Sequence, residues 1–218
     1  MTMPIQEIPV IEKKPQTEKR YYTPEEYLTL EEAAIDKSEY HDGEIIPMTG
    51  GTTNHNSIII NLIANLKFGL RSKNYSLFTS DVRLWIPLTR RYVYPDIMVI
   101  QGEPVYQENN KTIVTNPLVI IEVLFHSTQD YDRGGKFFFY RSIPAFREYI
   151  LIDQYTYHIE QFAKNSNSKW ELTEYDSEDS VLTLESVEFQ IPLREIYEGI
   201  NFERKVEEGS EQTSEIQQ

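Results

Sequence analysis

The sequence contains no cysteine, so it can form no disulfide bond and can offer no thiolate to a metal ion. It also has no apolar run approaching the roughly 18 residues that a membrane-spanning helix needs. Residues 1–20 lack the apolar stretch of a signal peptide. These absences predict a soluble, cytoplasmic protein that makes no contact with a membrane.

Basic residues are scarce. The chain has 21 lysines and arginines against 35 acidic residues, which gives a formal net charge of −14 at pH 7. A protein that binds duplex nucleic acid by neutralising phosphates usually presents a basic face. The charge therefore argues against a nucleic-acid partner, unless basic side chains cluster locally or a bound metal ion supplies the positive field.

What is present is an ordinary globular composition. The 218 residues are 39% hydrophobic and 12% aromatic, which is enough to close one hydrophobic core. Residues 1–20 and 203–218 are polar and show no periodicity, and the second segment is acidic, so both are predicted to be flexible arms. A single domain is expected over residues 21–202.

The pattern of hydrophobic residues predicts an α/β (α+β) fold, in which a mixed β-sheet is flanked by helices. Helices are predicted over residues 24–34, 56–72 and 131–142, and the first begins with a capping box at Thr23 and Glu26. A polar loop is predicted over residues 102–116. Strands are predicted over residues 39–46 (a hairpin), 82–86, 92–100 (interrupted by Pro95), 118–124, 147–153, 155–163, 170–175 and 187–191.

Two acidic residues fit poorly into a purely structural account. Glu122 lies inside the most apolar predicted strand, where a carboxylate needs an ion-pair partner, a metal ion or a proton. Asp96 follows Pro95, and a proline that interrupts a strand commonly puts the next side chain at an edge or a cleft. On neighbouring strands, these two carboxylates could share one divalent cation.

Several motifs around these acids follow one another in a fixed order. They are Asp42-Gly43-Glu44-Ile45, Asn54-His55, Pro95-Asp96, Ile121-Glu122-Val123-Leu124, Ser127-Thr128, Asp132…Lys136…Tyr140 and Ile143-Pro144…Glu148-Tyr149…Ile152-Asp153. The Pro-Asp and Glu-Val-Leu segments resemble the signature of the PD-(D/E)XK nuclease superfamily. The ordered set, which covers about residues 22–162, resembles one branch of it, the Uma two family of proteins described as restriction endonucleases.

This resemblance implies a restriction-endonuclease-like fold, with hydrolysis of DNA phosphodiester bonds as the reaction and Mg²⁺ or Mn²⁺ as the cofactor. It implies that Asp96 and Glu122 hold the metal ion, and that Glu44 is a third carboxylate. Leu124 stands where the superfamily has its lysine, and the resemblance assigns that role to Lys136 in the following helix. Analogy with such nucleases also suggests a homodimer.

Three further residues are accessory candidates, namely His55, His126 and Tyr140. The pair Phe125-His126 departs from the family pattern, so a role for His126 as a ligand rests on its position alone. His55 is also explained as a capping or packing residue, His126 as a side chain that fills space, and Tyr140 as a core residue.

The three main assignments have structural alternatives too. Asp96 could bind nearby amides at a turn or an edge, and Glu122 could form a buried ion pair with Arg83 or Lys136. Lys136 could be a solvated helix residue.

The sequence therefore leaves three functions open. The first is a Mg²⁺-dependent endonuclease. The second is a catalytically silent nuclease-fold protein that binds nucleic acid or protein, which the net charge of −14 and Leu124 favour. The third is a metal-dependent hydrolase of another phosphate ester, because an acidic surface suits a small substrate.

Overall fold

A computed structural model describes residues 20–108 and 110–202 of the chain. The predicted arms lie outside these residues, apart from Arg20. The α-helices are α1 (Pro24–Ala33), α2 (Thr53–Gly69), α3 (Phe137–Tyr140) and α4 (Leu193–Ile196), and a π-helical turn spans Tyr131–Lys136. Within the described ranges, no helix is both long and apolar enough to cross a membrane.

The strands fall into two larger sheets and one hairpin. The first sheet contains, in spatial order, β2 (Glu44–Pro47), β1 (Ser38–His41), β5 (Arg91–Val93), β4 (Arg83–Ile86), β8 (Asn110–Val114) and β7 (Tyr106–Gln107). The second contains β12 (Trp170–Tyr175), β11 (Ile159–Lys164), β10 (Glu148–Asp153), β9 (Val119–Leu124), β6 (Ile97–Gln101) and β3 (Tyr75–Thr79). The hairpin is formed by β13 (Val181–Leu184) and β14 (Phe189–Pro192).

This architecture confirms the predicted α+β class with mixed sheets. In the second sheet β9 and β10 are parallel, whereas β6 pairs with β9 in the antiparallel sense. The sequence predicted one sheet, and the structure has two six-stranded sheets instead.

Helices α1 and α2 begin and pack as their sequences predict. The Thr23 side chain accepts the backbone N–H of Glu26, whose carboxylate accepts the backbone N–H of Thr23, which completes the capping box. Helix α2 buries a stripe that includes Ile58, Leu62 and Leu66 against the second sheet. It therefore covers one face of strand β9.

Strand β9 is buried along its whole length, because hydrophobic clusters cover both of its faces. Ile121 and Val123 pack in the cluster that contains α2, and Ile120 and Leu124 pack in the cluster on the opposite face. Alternation along the strand puts Glu122 on this second face, with the aromatic residues of α3.

The segment around Pro95 differs from its prediction as one interrupted strand. Strand β5 belongs to the first sheet and strand β6 to the second, so residues 94–96 form a junction between the two sheets. Proline has no N–H for a strand ladder and fixes its own φ, so the chain leaves one sheet at this point. Asp96 lies at this junction, directly before β6.

Three other regions differ in part from their predictions. The predicted polar loop over residues 102–116 contains β7 and β8, in which only Ile113 and Val114 are buried, so its apolar signal is short. Strands β3 and β13 were not predicted. The predicted helix over residues 131–142 starts as a π-helical turn and continues as α3.

Candidate active site

Asp96 and Glu122 meet on neighbouring strands. The antiparallel register pairs Ile97 of β6 with Ile121 of β9, so one further step places Asp96 opposite Glu122. The Asp96 Oδ2 atom accepts the backbone N–H of Val123 at 2.8 Å and lies 3.2 Å from His55 Nε2. Asp96 therefore does bind a nearby backbone amide, as its structural alternative proposes. This hydrogen bond holds the carboxylate against strand β9, which carries Glu122.

Glu122 has one hydrogen-bond partner and one ion-pair partner, both at the same oxygen. Its Oε1 atom lies 2.8 Å from the Tyr140 hydroxyl and 3.0 Å from Lys136 Nζ. Lys136 and Tyr140 are four residues apart, so they share one face of the helical segment, as predicted. The ion-pair partner of Glu122 is therefore Lys136, whereas Arg83 donates to Thr112 instead.

The π-helical turn gives Lys136 a second carboxylate. Lys136 Nζ lies 3.0 Å from Asp132 Oδ1, and Asp132 Oδ2 accepts the Thr128 hydroxyl at 2.9 Å. Only 14% of the Lys136 side chain is exposed, so the ammonium group is held between two buried carboxylates and is not a solvated surface charge. π-Helical turns occur frequently at functional sites, where the wider turn re-aims side chains.

Glu39 is a site residue that the sequence interpretation missed. Its carboxylate accepts the backbone N–H of Tyr94 at 3.3 Å and lies 2.8 Å from His41 Nε2. Glu39 lines the same cleft as Asp96 and Glu122, whereas the predicted third carboxylate, Glu44, is not among the lining residues. Alternation in β1 puts Glu39 and His41 on one face and Tyr40 on the other, but this pattern alone does not show which face meets a cleft.

These residues line a cleft of about 310 Å³ between the two sheets. The first sheet and the junction contribute Glu39, His41 and Tyr94, and the second sheet contributes Glu122. Other lining residues are Tyr131, Asp132 and Lys136 of the π-helical turn, together with His55 and Phe125. The cleft holds four carboxyl groups for one lysine, so its electrostatic field favours a cation.

The pKa values in the cleft reflect this crowding of acids. Burial raises the pKa of Glu122, Lys136 opposes that effect, and the nearby Asp96 and Asp132 raise it further. Burial lowers the pKa of Lys136, but its three carboxylate neighbours outweigh burial and raise it well above its usual value. Burial also raises the pKa of Glu39, but the bond to His41 and the charge of Lys136 reverse this and leave it lowered.

The accessory candidates separate into two groups. His55 and Tyr140 each contact one of the two paired carboxylates, at Asp96 and Glu122 respectively. The structure does not bring His126 into the cleft: its imidazole is exposed and stacks on the ring of Tyr155.

The donor set of the cleft fits a hard divalent cation. Asp96 Oδ1 and Glu122 Oε2 have no hydrogen-bond partner among the described residues, while the second oxygen of each is held in place. Magnesium is usually bound by one or two carboxylates together with water and substrate phosphate. No cluster of three or more His, Asp or Glu residues within residues 20–108 and 110–202 is arranged to hold a metal ion by itself.

The fold and the paired acids are those of a restriction-endonuclease-like α+β protein. The model of the family described as "Uma2: Putative restriction endonuclease" matches residues 24–194, and the chain belongs to this family.

The chain is also similar to two cyanobacterial proteins and, in fold, to one solved structure. The chain is 45% identical over 150 residues to the Synechocystis protein sll1609, a match that covers 69% of this chain and 85% of that protein. It is 33% identical over 172 residues to slr1290 of the same organism, which covers 79% and 89% respectively. The fold is similar to the crystal structure of a "putative nuclease belonging to DUF820" from Anabaena variabilis, with a TM-score of 0.67 and 18% identity over 81% of this chain and 97% of that one.

Proposed function

We propose that this protein is a metal-dependent endonuclease that hydrolyses phosphodiester bonds in DNA. The observation that carries the proposal is the meeting of three groups in one cleft. Asp96 and Glu122 lie on neighbouring strands, and the Lys136 ammonium group lies 3.0 Å from Glu122. Paired carboxylates beside a buried lysine are the groups that metal-assisted phosphodiester hydrolysis requires.

Asp96 and Glu122 are the residues proposed to hold Mg²⁺, or Mn²⁺, through their two unbonded oxygens. A divalent ion bound there would polarise the scissile phosphate and lower the pKa of a bound water. The chain orients the ligands itself: Val123 N–H and His55 fix Asp96, and Tyr140 fixes Glu122. Such outer contacts set the direction of the free oxygen atoms.

Lys136 is the proposed catalytic lysine. Its pKa is raised by Glu122, Glu39 and Asp132 against the effect of burial, so it stays protonated at neutral pH. A protonated amine in this cleft can donate to the attacking water and can offset the charge that develops on the phosphate. We assign the role of the third acidic residue to Glu39, in place of Glu44, because Glu39 lines the cleft.

The first test is a titration of wild-type protein with Mg²⁺ and Mn²⁺ by calorimetry, together with plasmid cleavage. Asp96→Asn and Glu122→Gln should each abolish both metal binding and cleavage. Glu148→Gln is the matched control, because Glu148 is equally buried in the adjacent strand but lies outside the cleft. The proposal is wrong if the wild type binds no divalent ion, or if the two cleft variants still cleave DNA.

The second candidate function is a catalytically silent nuclease-fold protein that binds nucleic acid or protein. It is favoured by the closed ion pair between Lys136 and Glu122 and by the net charge of −14. Unchanged cellular function in the Asp96→Asn variant would support it. Cytoplasmic location and the homodimer stay predictions, and sedimentation equilibrium measures the second directly.

A further inference from the structure

Two exposed aromatic rings stack just beyond the carboxyl ends of strands β9 and β10. The His126 and Tyr155 rings have centroids 3.9 Å apart and planes only 4° apart. His126 follows the end of β9 and Tyr155 follows the end of β10, and the parallel register pairs Leu124 with Asp153 at these ends. Both rings therefore project from the carboxyl ends of the two parallel strands, one of which carries Glu122.

The loops that carry the two rings are held by hydrogen bonds, one of which is fully buried. Gln154 is fully buried, and its Nε2 donates to the Leu124 carbonyl at 2.6 Å, while its Oε1 accepts the Thr52 hydroxyl. The Tyr155 N–H donates to Asp153 Oδ1 at 2.6 Å. The loops that carry the rings are thus tied to each other and to the start of helix α2.

Neither core packing nor side-chain hydrogen bonding explains why these two rings lie together. His126 is exposed, Tyr155 is 38% exposed, and neither belongs to a hydrophobic cluster. Among the residues that the structure describes, neither side chain has a hydrogen-bond or ion-pair partner. Each ring uses one face in this stack, so the opposite face of either ring can contact a third flat group.

The position of the pair relates it to the proposed reaction. Phe125 directly precedes His126, lines the cleft and has its ring centroid 4.8 Å from that of His55. His55 in turn contacts Asp96. His126 follows Glu122 by four residues, at most about 13 Å along an extended chain, so a flat group stacked on the pair would lie at the same end of the second sheet as a phosphate held at the paired carboxylates.

The net charge of the protein explains how a stacking contact would help it to bind a nucleic acid. With a net charge of −14, phosphate neutralisation can supply little of the affinity for a polyanion. Stacking of bases on aromatic side chains does not depend on positive charge, and it tolerates any base sequence because every base has a flat face. It requires that the base be unpaired.

We propose that the His126–Tyr155 stack is a platform for an unpaired nucleobase of the nucleic-acid substrate, next to the phosphate at Asp96 and Glu122. This inference rests on the proposed nuclease function and narrows its substrate to strands with exposed bases. The two rings act in binding and positioning, and they take no part in the chemical step.

The test is fluorescence anisotropy with a short labelled thymidine oligonucleotide, in EDTA so that no cleavage occurs. His126→Ala and Tyr155→Ala should each weaken binding by about fivefold to 150-fold, the range for loss of one stacked base. Tyr155→Phe keeps the ring and should bind like the wild type. Phe138→Ala is the matched control, because Phe138 is also an exposed ring but lies in helix α3, away from the two loops.

A second probe separates stacking from phosphate contacts. An abasic strand of the same length keeps the phosphates and lacks the bases, so its affinity should not change in Tyr155→Ala. The inference is overturned if the wild type binds no thymidine strand, if both alanine variants bind it normally, or if Phe138→Ala loses as much affinity. Stack-dependent binding without any metal binding or cleavage would overturn the nuclease function and leave the platform standing.

Discussion

At the scale of single residues, the sequence was most informative where a polar residue stands in an apolar context. Glu122 was singled out because its strand is otherwise hydrophobic, and the structure shows it buried with Tyr140 and Lys136 as partners. Glu39 is not found this way, because its strand is short and because a second acid, Glu44, lies on the other side of the same turn. Which of two nearby acids faces a cleft depends on the pairing of β1 with β5, a contact between distant segments that local sequence does not encode.

Gly51 keeps room for the imidazole of His55. A Cβ atom at position 51 would lie 2.9 Å from His55 Nδ1, whereas a Cβ at Gly50 would meet nothing within 4 Å. We expect Gly51→Ala to displace the His55 ring from Asp96 and to weaken Mn²⁺ binding by about tenfold, the lower end of the effect of outer-shell changes.

Gly50→Ala is the control for this prediction and should bind Mn²⁺ like the wild type. Calorimetric titration of the two variants checks it. Equal affinities in both would mean that the contact of His55 with Asp96 does not support the metal site.

His158 gives the fold a defined dependence on pH. Burial lowers its pKa, but hydrogen bonds to Asp176 and Glu160 outweigh burial, so the pKa in the folded protein is raised above the usual 6.5. Its stabilising contribution is therefore complete below the unfolded pKa and is lost as the pH rises through the folded pKa. The free energy of unfolding should differ more between wild type and His158→Gln at about pH 5.5 than at about pH 9.

Urea unfolding of both proteins at the two pH values measures this difference. His158 lies outside the cleft, so the comparison does not depend on metal binding. A difference that stays constant across this range would show that its ion pairs with Asp176 and Glu160 contribute nothing to stability.

At the scale of elements, prediction succeeded where one local rule decides the outcome. Helix α1 begins at its capping box, and α2 follows its apolar stripe. At residues 131–136 the sequence predicts a helix but not its π-helical turn, because this stretch has only one apolar residue, Tyr131, and therefore no apolar period to read. The wider turn is fixed by tertiary contacts, such as the bond from the Tyr149 hydroxyl to the Asp132 carbonyl.

Two adjacent glycines in the π-helical turn are predicted to behave differently. A Cβ at Gly135 would lie 2.6 Å from the ring of Tyr131, while a Cβ at Gly134 would meet nothing within 4 Å. We expect Gly135→Ala to destabilise the protein by about 1–3 kcal/mol through overpacking. Gly134→Ala should instead stabilise it by up to about 1 kcal/mol, because alanine favours a helix over glycine.

Chemical denaturation of both variants tests this contrast, since they differ by one position in the same turn. Lys136 follows Gly135 directly, so Gly135→Ala should also lower cleavage activity. Similar stabilities for the two variants would show that Tyr131 can move away without cost.

At the scale of the whole molecule, the class of fold was predictable and the number of sheets was not. Alternation and apolar runs identified most strands, but they carry no record of which strands lie side by side. One passage of the chain from the first sheet to the second is at residues 94–96, where Pro95 follows β5 and Asp96 directly precedes β6. The sequence predicts Asp96 at an edge or a cleft, and the structure places it in the cleft, at a boundary between two sheets.

This boundary has a mechanical consequence. Glu39 and His41 are anchored in the first sheet and Glu122 in the second, so the width of the cleft depends on how the two sheets pack on each other in the hydrophobic cluster they share. A small sliding of one sheet over the other would change the spacing of opposite walls while each wall kept its own shape. Packing in the shared cluster, rather than the hydrogen bonds within either sheet, then sets how closely the two walls of the cleft can approach a bound ligand.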